Sequence, residues 1–119
     1  MGIKTENIIV NKTTQFSLDM IGYCDLLYSE KKFILANQLL KSSTSIGANV
    51  VEAQQAESPM DFLHKIKIAA KEANESLYWL NLCEKSIGYK FESRFLNSIE
   101  EIIAILSKII ITTKKRKLQ

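Results

Sequence analysis

The stretch SPMDFLHKIKIAAKEANESLYWL, Ser58 to Leu80, decides the fold. Ser58 can accept a hydrogen bond from the unpaired backbone N–H groups of a first helical turn. Pro59 suits the position after it, because its missing N–H would have no partner there, and Asp61 completes an S-x-x-D capping box. Behind this start, Phe62, Ile66, Ala69/Ala70, Ala73, Leu77 and Leu80 recur at the three-and-four spacing that lines one helix face. Asp61/Lys65 and Lys71/Glu75 sit at the favourable i,i+4 spacing. The pattern predicts a helix over 59–87, stopped by Gly88.

Working outward, the same period predicts three more helices. One covers 31–55, with Phe33, Ala36, Leu39/Leu40, Ser43, Ile46/Gly47, Val50 and Ala53 inside. Another covers 7–29, with Phe16, Met20, Tyr23 and Leu27 on its stripe and Cys24 beside it. The last covers 92–113, with Phe95, Ile99, Ile102, Leu106 and Ile109 inside, followed by a basic tail over 114–119. Connections of a few residues force successive helices to run in opposite directions, so the expected architecture is all-α, an antiparallel up-and-down four-helix bundle in one domain over 1–119. Helices of this length give a bundle ~33 to 40 Å long at 1.5 Å per residue.

Composition supports one ordered domain. The chain has 119 residues, 46% hydrophobic and 24% charged, with one Pro and four Gly. The opening MGIKTENIIV lacks the apolar run and small-residue cleavage site of a signal peptide, and no window approaches a membrane span, so the expected location is cytoplasmic. The net charge of +3 is unevenly placed: residues 1–107 carry eleven bases against thirteen acids, while Lys108, Lys114, Lys115, Arg116 and Lys117 follow with no acid.

No residue pattern calls for catalysis. A di-iron carboxylate bundle needs two E-x-x-H pairs, and the chain has one histidine, His64. Cys24 and Cys83 stand far apart with no C-x-x-C, which reads as two buried thiols rather than a disulfide or zinc site. A Ser or Cys nucleophile would have to share that one histidine as its base, and no glycine-rich phosphate loop occurs. No metal, cofactor, catalytic residue or small-molecule substrate is expected.

Three features ask for a role. Ser42-Ser43-Thr44-Ser45-Ile46-Gly47-Ala48-Asn49 is built mostly of small or polar residues mid-helix, which allows close helix approach. In it Ser45, Asn49 and Glu52 share a face at i, i+4 and i+7, a candidate polar seam or ligand contact with Glu75, Tyr78 or Trp79. Ile68, Trp79 and Leu82 on the third helix, and Ile103 and Ile110 on the fourth, exceed what one core stripe needs and are candidate oligomer contacts. Lys114, Lys115, Arg116 and Lys117, aided by helix lysines such as Lys65 and Lys71, are candidate phosphate contacts, with a solvated charged end as the plainer reading.

The run from Ser42 to Leu80 also resembles the bacterial four-helix-bundle proteins known as 23S rRNA intervening-sequence proteins. The resemblance rests on T-S-I-G-A-N at 44–49, E-A at 52–53, D-F at 61–62, K-E-A at 71–73 and Y-W-L at 78–80. It covers about a third of the chain closely; the first and fourth helices match in length and apolar pattern. The resemblance implies the four-helix fold, a homo-oligomeric ring of pentamer type, and association with RNA or DNA, as in the similar accessory variability proteins of retroelements. The chain departs from a strongly basic relative in its mildly acidic body. The leading expectation is thus a non-enzymatic homo-oligomer that contacts nucleic-acid backbones; the rival is a protein-interaction scaffold that binds none.

Overall fold

In a computed structural model, which describes the backbone of residues 3–118 and the side chains of residues 8–116, the chain is all-helical. Four helices follow one another: α1 Ile3–Ser29, α2 Phe33–Ala53, α3 Pro59–Lys85 and α4 Arg94–Leu118, with no strand among the described residues. Each helix packs on its sequence neighbour and α4 also meets α1, more sparsely, while the backbones of the diagonal pairs stay farther apart among the described residues. Cross-helix pairs run in opposite order along two of these contacts. On α1 and α4 these are Lys12 with Glu101 and Asp19 with Arg94, and on α2 and α3 Ser42 with Ser76 and Glu52 with Lys65.

The start of α3 is the one the sequence specifies: Ser58 Oγ accepts from the Asp61 backbone N–H at 3.1 Å and Pro59 opens the helix. The other boundaries differ from expectation, for identifiable reasons. Lys31 does not begin α2; it closes α1, with φ 62°, a left-handed conformation, while Lys32 N–H donates to Leu27 O at 2.8 Å and Lys31 N–H to Tyr28 O at 3.0 Å. This is a Schellman ending carried by a lysine where glycine is usual. α2 ends at Ala53 rather than 55, and α3 at Lys85 rather than 87. Gly88 lies in the following connection, where its φ of 85° turns the chain. α4 starts at Arg94 rather than 92 and continues to Leu118, so the predicted tail is largely the last turns of a helix.

The stripes of α1 and α4 are buried as expected, with Ile9 and Thr13 added on α1. On α2, Phe33 is half exposed rather than internal, and Ser42 joins Ser43 inside; on α3, Leu77 is half-buried and Ser76 fully buried. Gly47 of α2 faces α1: a Cβ there would lie 3.5 Å from the side chains of Thr13 and Ser17. At one end of the molecule the Tyr23 hydroxyl donates to Lys90 O at 2.7 Å, and its ring packs with Phe91 and Phe95. Lys90 pairs with Glu30 at 2.8 Å. These contacts tie the α3–α4 connection to the end of α1.

Candidate functional site

The C-terminal part of α4 stands apart from the rest. Ile109 is its last buried residue among those described, and Lys114, Lys115 and Arg116 are all exposed. From the Lys12–Glu101 pair, α1 runs nine residues back to Ile3, whereas α4 runs seventeen forward to Leu118. The end of α4 therefore overshoots α1 by about 12 Å at 1.5 Å per residue, in keeping with a molecule 52 Å long and 21 by 20 Å across. Among the described residues, Lys108, Lys114, Lys115 and Arg116 take part in no ion pair. Cations at a helix C-terminus also suit the negative end of its dipole. Lys117 lies within the helix, but its side chain is outside the described residues.

The two helix lysines singled out from the sequence part company. Lys65 is half-buried on the flank of α3 that faces α2, 3.9 Å from Glu52. Lys71 is exposed on the outward side, where it follows Lys67, a residue sequence reasoning passed over. The exposed positions His64, Lys67, Lys71, Asn74 and Tyr78 step by three, four, three and four along one stripe that contains no acid. The acids of α3 stand to one side of it: Glu75 accepts the Trp79 Nε1–H at 3.1 Å, and Glu72 lies near Lys41 of α2.

The expected polar seam is rearranged. Ser45 Oγ donates to Lys41 O at 2.7 Å and Asn49 Nδ2 to Ser45 O at 2.9 Å, both within their own helix, and Glu52 is exposed. Among the described residues no hydrogen bond joins these three to Glu75, Tyr78 or Trp79. Tyr78 is 56% exposed, its ring 5.1 Å from that of Trp79. The buried polar contact between α2 and α3 is instead Ser42 with Ser76, their hydroxyls 2.9 Å apart and both wholly buried. A signal for it was present: Ser42 lies three residues after Leu39 and four before Ile46, and Ser76 three after Ala73 and four before Leu80, so both sit on the apolar stripe.

Ile68, Trp79, Leu82, Ile103 and Ile110 are half-buried. By helix position Ile68 and Trp79 stand on the outer α2–α3 flank with Leu82 nearer the exposed stripe, and Trp79, Ile103 and Ile110 also pack on the core. Larger apolar exposure occurs at two residues outside those candidates, Ile34, 81% exposed, and Ile87, fully exposed. Ile34 stands on the same stripe of α2 as Lys41, Ser45 and Glu52, which faces that flank.

Little in the interior is poised for chemistry. Burial, with Cys83 and Asp25 adding, pushes the Cys24 thiol up to about 12, and burial raises Cys83 against the opposing influence of the Tyr23 hydroxyl. Burial likewise raises the Tyr23 hydroxyl. Among the described residues no three His, Cys, Asp or Glu side chains gather as a metal site would require, and no helix is long and apolar enough to cross a membrane.

With this geometry in hand, comparison adds two findings. The profile of the family described as 23S rRNA-intervening sequence protein matches residues 5–111. The chain is also similar to a solved structure from Bacteroides thetaiotaomicron, described as a protein with unknown function from the S23 ribosomal protein family: 38% identity, 89% of this chain and 97% of that one covered, TM-score 0.83. No curated protein matches it.

Proposed function

The chain belongs to the 23S rRNA-intervening sequence protein family, and from that premise we propose that it is a non-enzymatic, homo-oligomeric bundle that holds RNA or DNA by contacts to the phosphate backbone. The observation that carries the reading is the overshooting end of α4, where Lys114, Lys115 and Arg116 stand exposed and, among the described residues, form no ion pair. Each phosphate neutralised by such a cation releases counterions, which gives salt-dependent affinity without sequence preference. Lys67 and Lys71 extend the same chemistry along α3.

The bundle itself we read as antiparallel and up-and-down, supported by the opposite order of the cross-helix pairs on α1 and α4 and on α2 and α3. This brings the start of α3 to the same end of the molecule as the cationic end of α4. Self-association is supported by the apolar α2–α3 flank, with Ile34 exposed and Ile68 and Trp79 half covered. A ring of five is the assembly the family resemblance implies, and a cytoplasmic protein is the natural setting. The same flank favours the second reading, an oligomeric scaffold for protein partners that binds no nucleic acid.

Fluorescence anisotropy of labelled single-stranded and duplex RNA and DNA, from low to physiological salt, separates the two. Wild-type protein is expected to bind with an affinity that falls steeply as salt rises, and K114E/K115E/R116E to lose most of it, with oligomeric mass by light scattering unchanged. An oligomer that binds no probe at low salt would leave the scaffold.

A further inference from the structure

The acid-free stripe of α3 ends on an aromatic ring. His64, Lys67, Lys71, Asn74 and Tyr78 are all exposed along it, and Tyr78 holds 56% of its surface open to solvent. Tyr78 follows Lys71 by two helical turns on this stripe. Its hydroxyl makes no hydrogen bond among the described residues; its edge meets Trp79 at 5.1 Å, with the rings inclined at 62°. Trp79 is fixed in turn by Nε1–H donation to Glu75, 3.1 Å away. That contact engages Glu75, one of the two acids beside the stripe, and places Trp79 against one side of the tyrosine.

The spacings suit a strand laid along the helix. At 1.5 Å per residue Lys67 and Lys71 are about 6 Å apart along the axis, the scale of neighbouring phosphates on an unstacked strand, and Tyr78 lies about 10 Å beyond Lys71. A row of cations that follows a backbone and then an aromatic face for a base is the arrangement by which proteins hold single strands without reading sequence. A duplex offers the phosphates but keeps its bases stacked inside, where a surface tyrosine cannot reach them.

We propose that Tyr78 is a base-stacking platform at the end of a phosphate track formed by Lys67 and Lys71, so that the protein takes single-stranded nucleic acid in preference to duplex. This rests on the nucleic-acid reading above and adds to it the form of the ligand. The track and the α4 end have separate roles: the α4 cations attract any phosphate backbone, and Tyr78 selects unpaired bases.

The test uses full-length protein with labelled oligouridine, oligothymidine and a duplex of the same length, and compares wild type with Tyr78→Ala and Tyr78→Phe. Tyr78→Ala is expected to weaken single-strand binding by about 5- to 10-fold, the lower part of the range for one stacked base. Duplex binding and the salt slope should hold, and Tyr78→Phe should keep wild-type affinity. Trp79 is the chain's single tryptophan, so its emission should change on single-strand binding to wild type and not to Tyr78→Ala. Single-strand affinity in Tyr78→Ala equal to wild type would overturn the platform and leave the nucleic-acid reading standing. Duplex bound as tightly as single strand by wild type would overturn the preference. Wild type that binds nothing at low salt would overturn both proposals together.

Discussion

The hydroxyls of Ser42 and Ser76 meet 2.9 Å apart in the wholly buried contact between α2 and α3. Ser42 has a further, longer contact to Leu39 O at 3.4 Å, whereas Ser76 has no other side-chain partner among the described residues. A buried hydroxyl stripped of its partner loses about 1–3 kcal/mol, and replacing both removes the penalty. Ser42→Ala should therefore destabilise more than Ser42→Ala/Ser76→Ala together. Chemical denaturation of the two singles and the double checks this; additive losses would mean the hydroxyls are not coupled.

Gly47 faces α1, and a Cβ there would make ordinary contact with the Thr13 and Ser17 side chains at 3.5 Å. Gly47→Ala should thus gain up to ~1 kcal/mol from helix propensity. Gly47→Leu, which needs room the contact does not have, should lose ~1–3 kcal/mol. Thermal melts of both variants read the sign, and a destabilised alanine variant would show the approach to be tighter than this.

Burial, with Glu75 three residues on, raises the Glu72 carboxyl above its ordinary value, against the opposing pull of Lys41 and Lys71. A carboxyl raised in the folded chain holds its proton more tightly there than in the unfolded chain. Its contribution to stability therefore falls as pH rises from the ordinary glutamate range through the folded value. Glu72→Gln should stabilise the protein at neutral pH by ~0.2–0.5 kcal/mol, the size of a like-charge helix pair, and do nothing below the ordinary range. Denaturation at both pH values decides; an equal gain at each would point away from ionisation.

Both thiols are buried, with Cys24 pushed up to about 12 and Cys83 raised as well. Native protein at pH 8 should react with a thiol reagent only at the rate at which it opens, and two thiols should appear at once in denaturant. Fast native labelling of either would place that cysteine at the surface.

Ile34 and Ile87 carry more open apolar surface than the residues sequence reasoning chose, so Ile34→Glu and Ile87→Glu should change monomer stability by less than ~0.5 kcal/mol. If the α2–α3 flank joins the subunits, Ile34→Glu lowers the mass seen by light scattering. An unchanged assembly would move the interface elsewhere.

Much of the fold was legible because its strongest signals are local. The Ser58 cap acts within one turn of chain, and the stripes on α1 and α4 consist of large apolar residues whose period leaves a single possible inward face. The α2–α3 contact was harder to read. Its inner residues are small or polar, so neighbouring rotations of the helix look equally apolar, and Ser45, Asn49 and Glu52 fitted a seam as well as Ser42 did. The phosphate-contact candidates divided for the same reason: Lys65 and Lys71 differ little in sequence, but a rotation on the helix sets one beside Glu52 and the other in the open.

By itself, then, the sequence determined four helices, the start of α3 and the inward faces of α1 and α4, because periodicity and capping act over a few residues, and its motifs between Thr44 and Leu80 carried the resemblance to the family. Only the tertiary structure decided that Lys31 closes α1 in a left-handed turn, that Ser42 and Ser76 meet, that α4 carries its cations beyond α1 as helix, and that Lys67, Lys71 and Tyr78 share an open stripe without acids. Each of these depends on which helix lies against which and where a neighbour ends, and packing sets that across distances no local pattern spans.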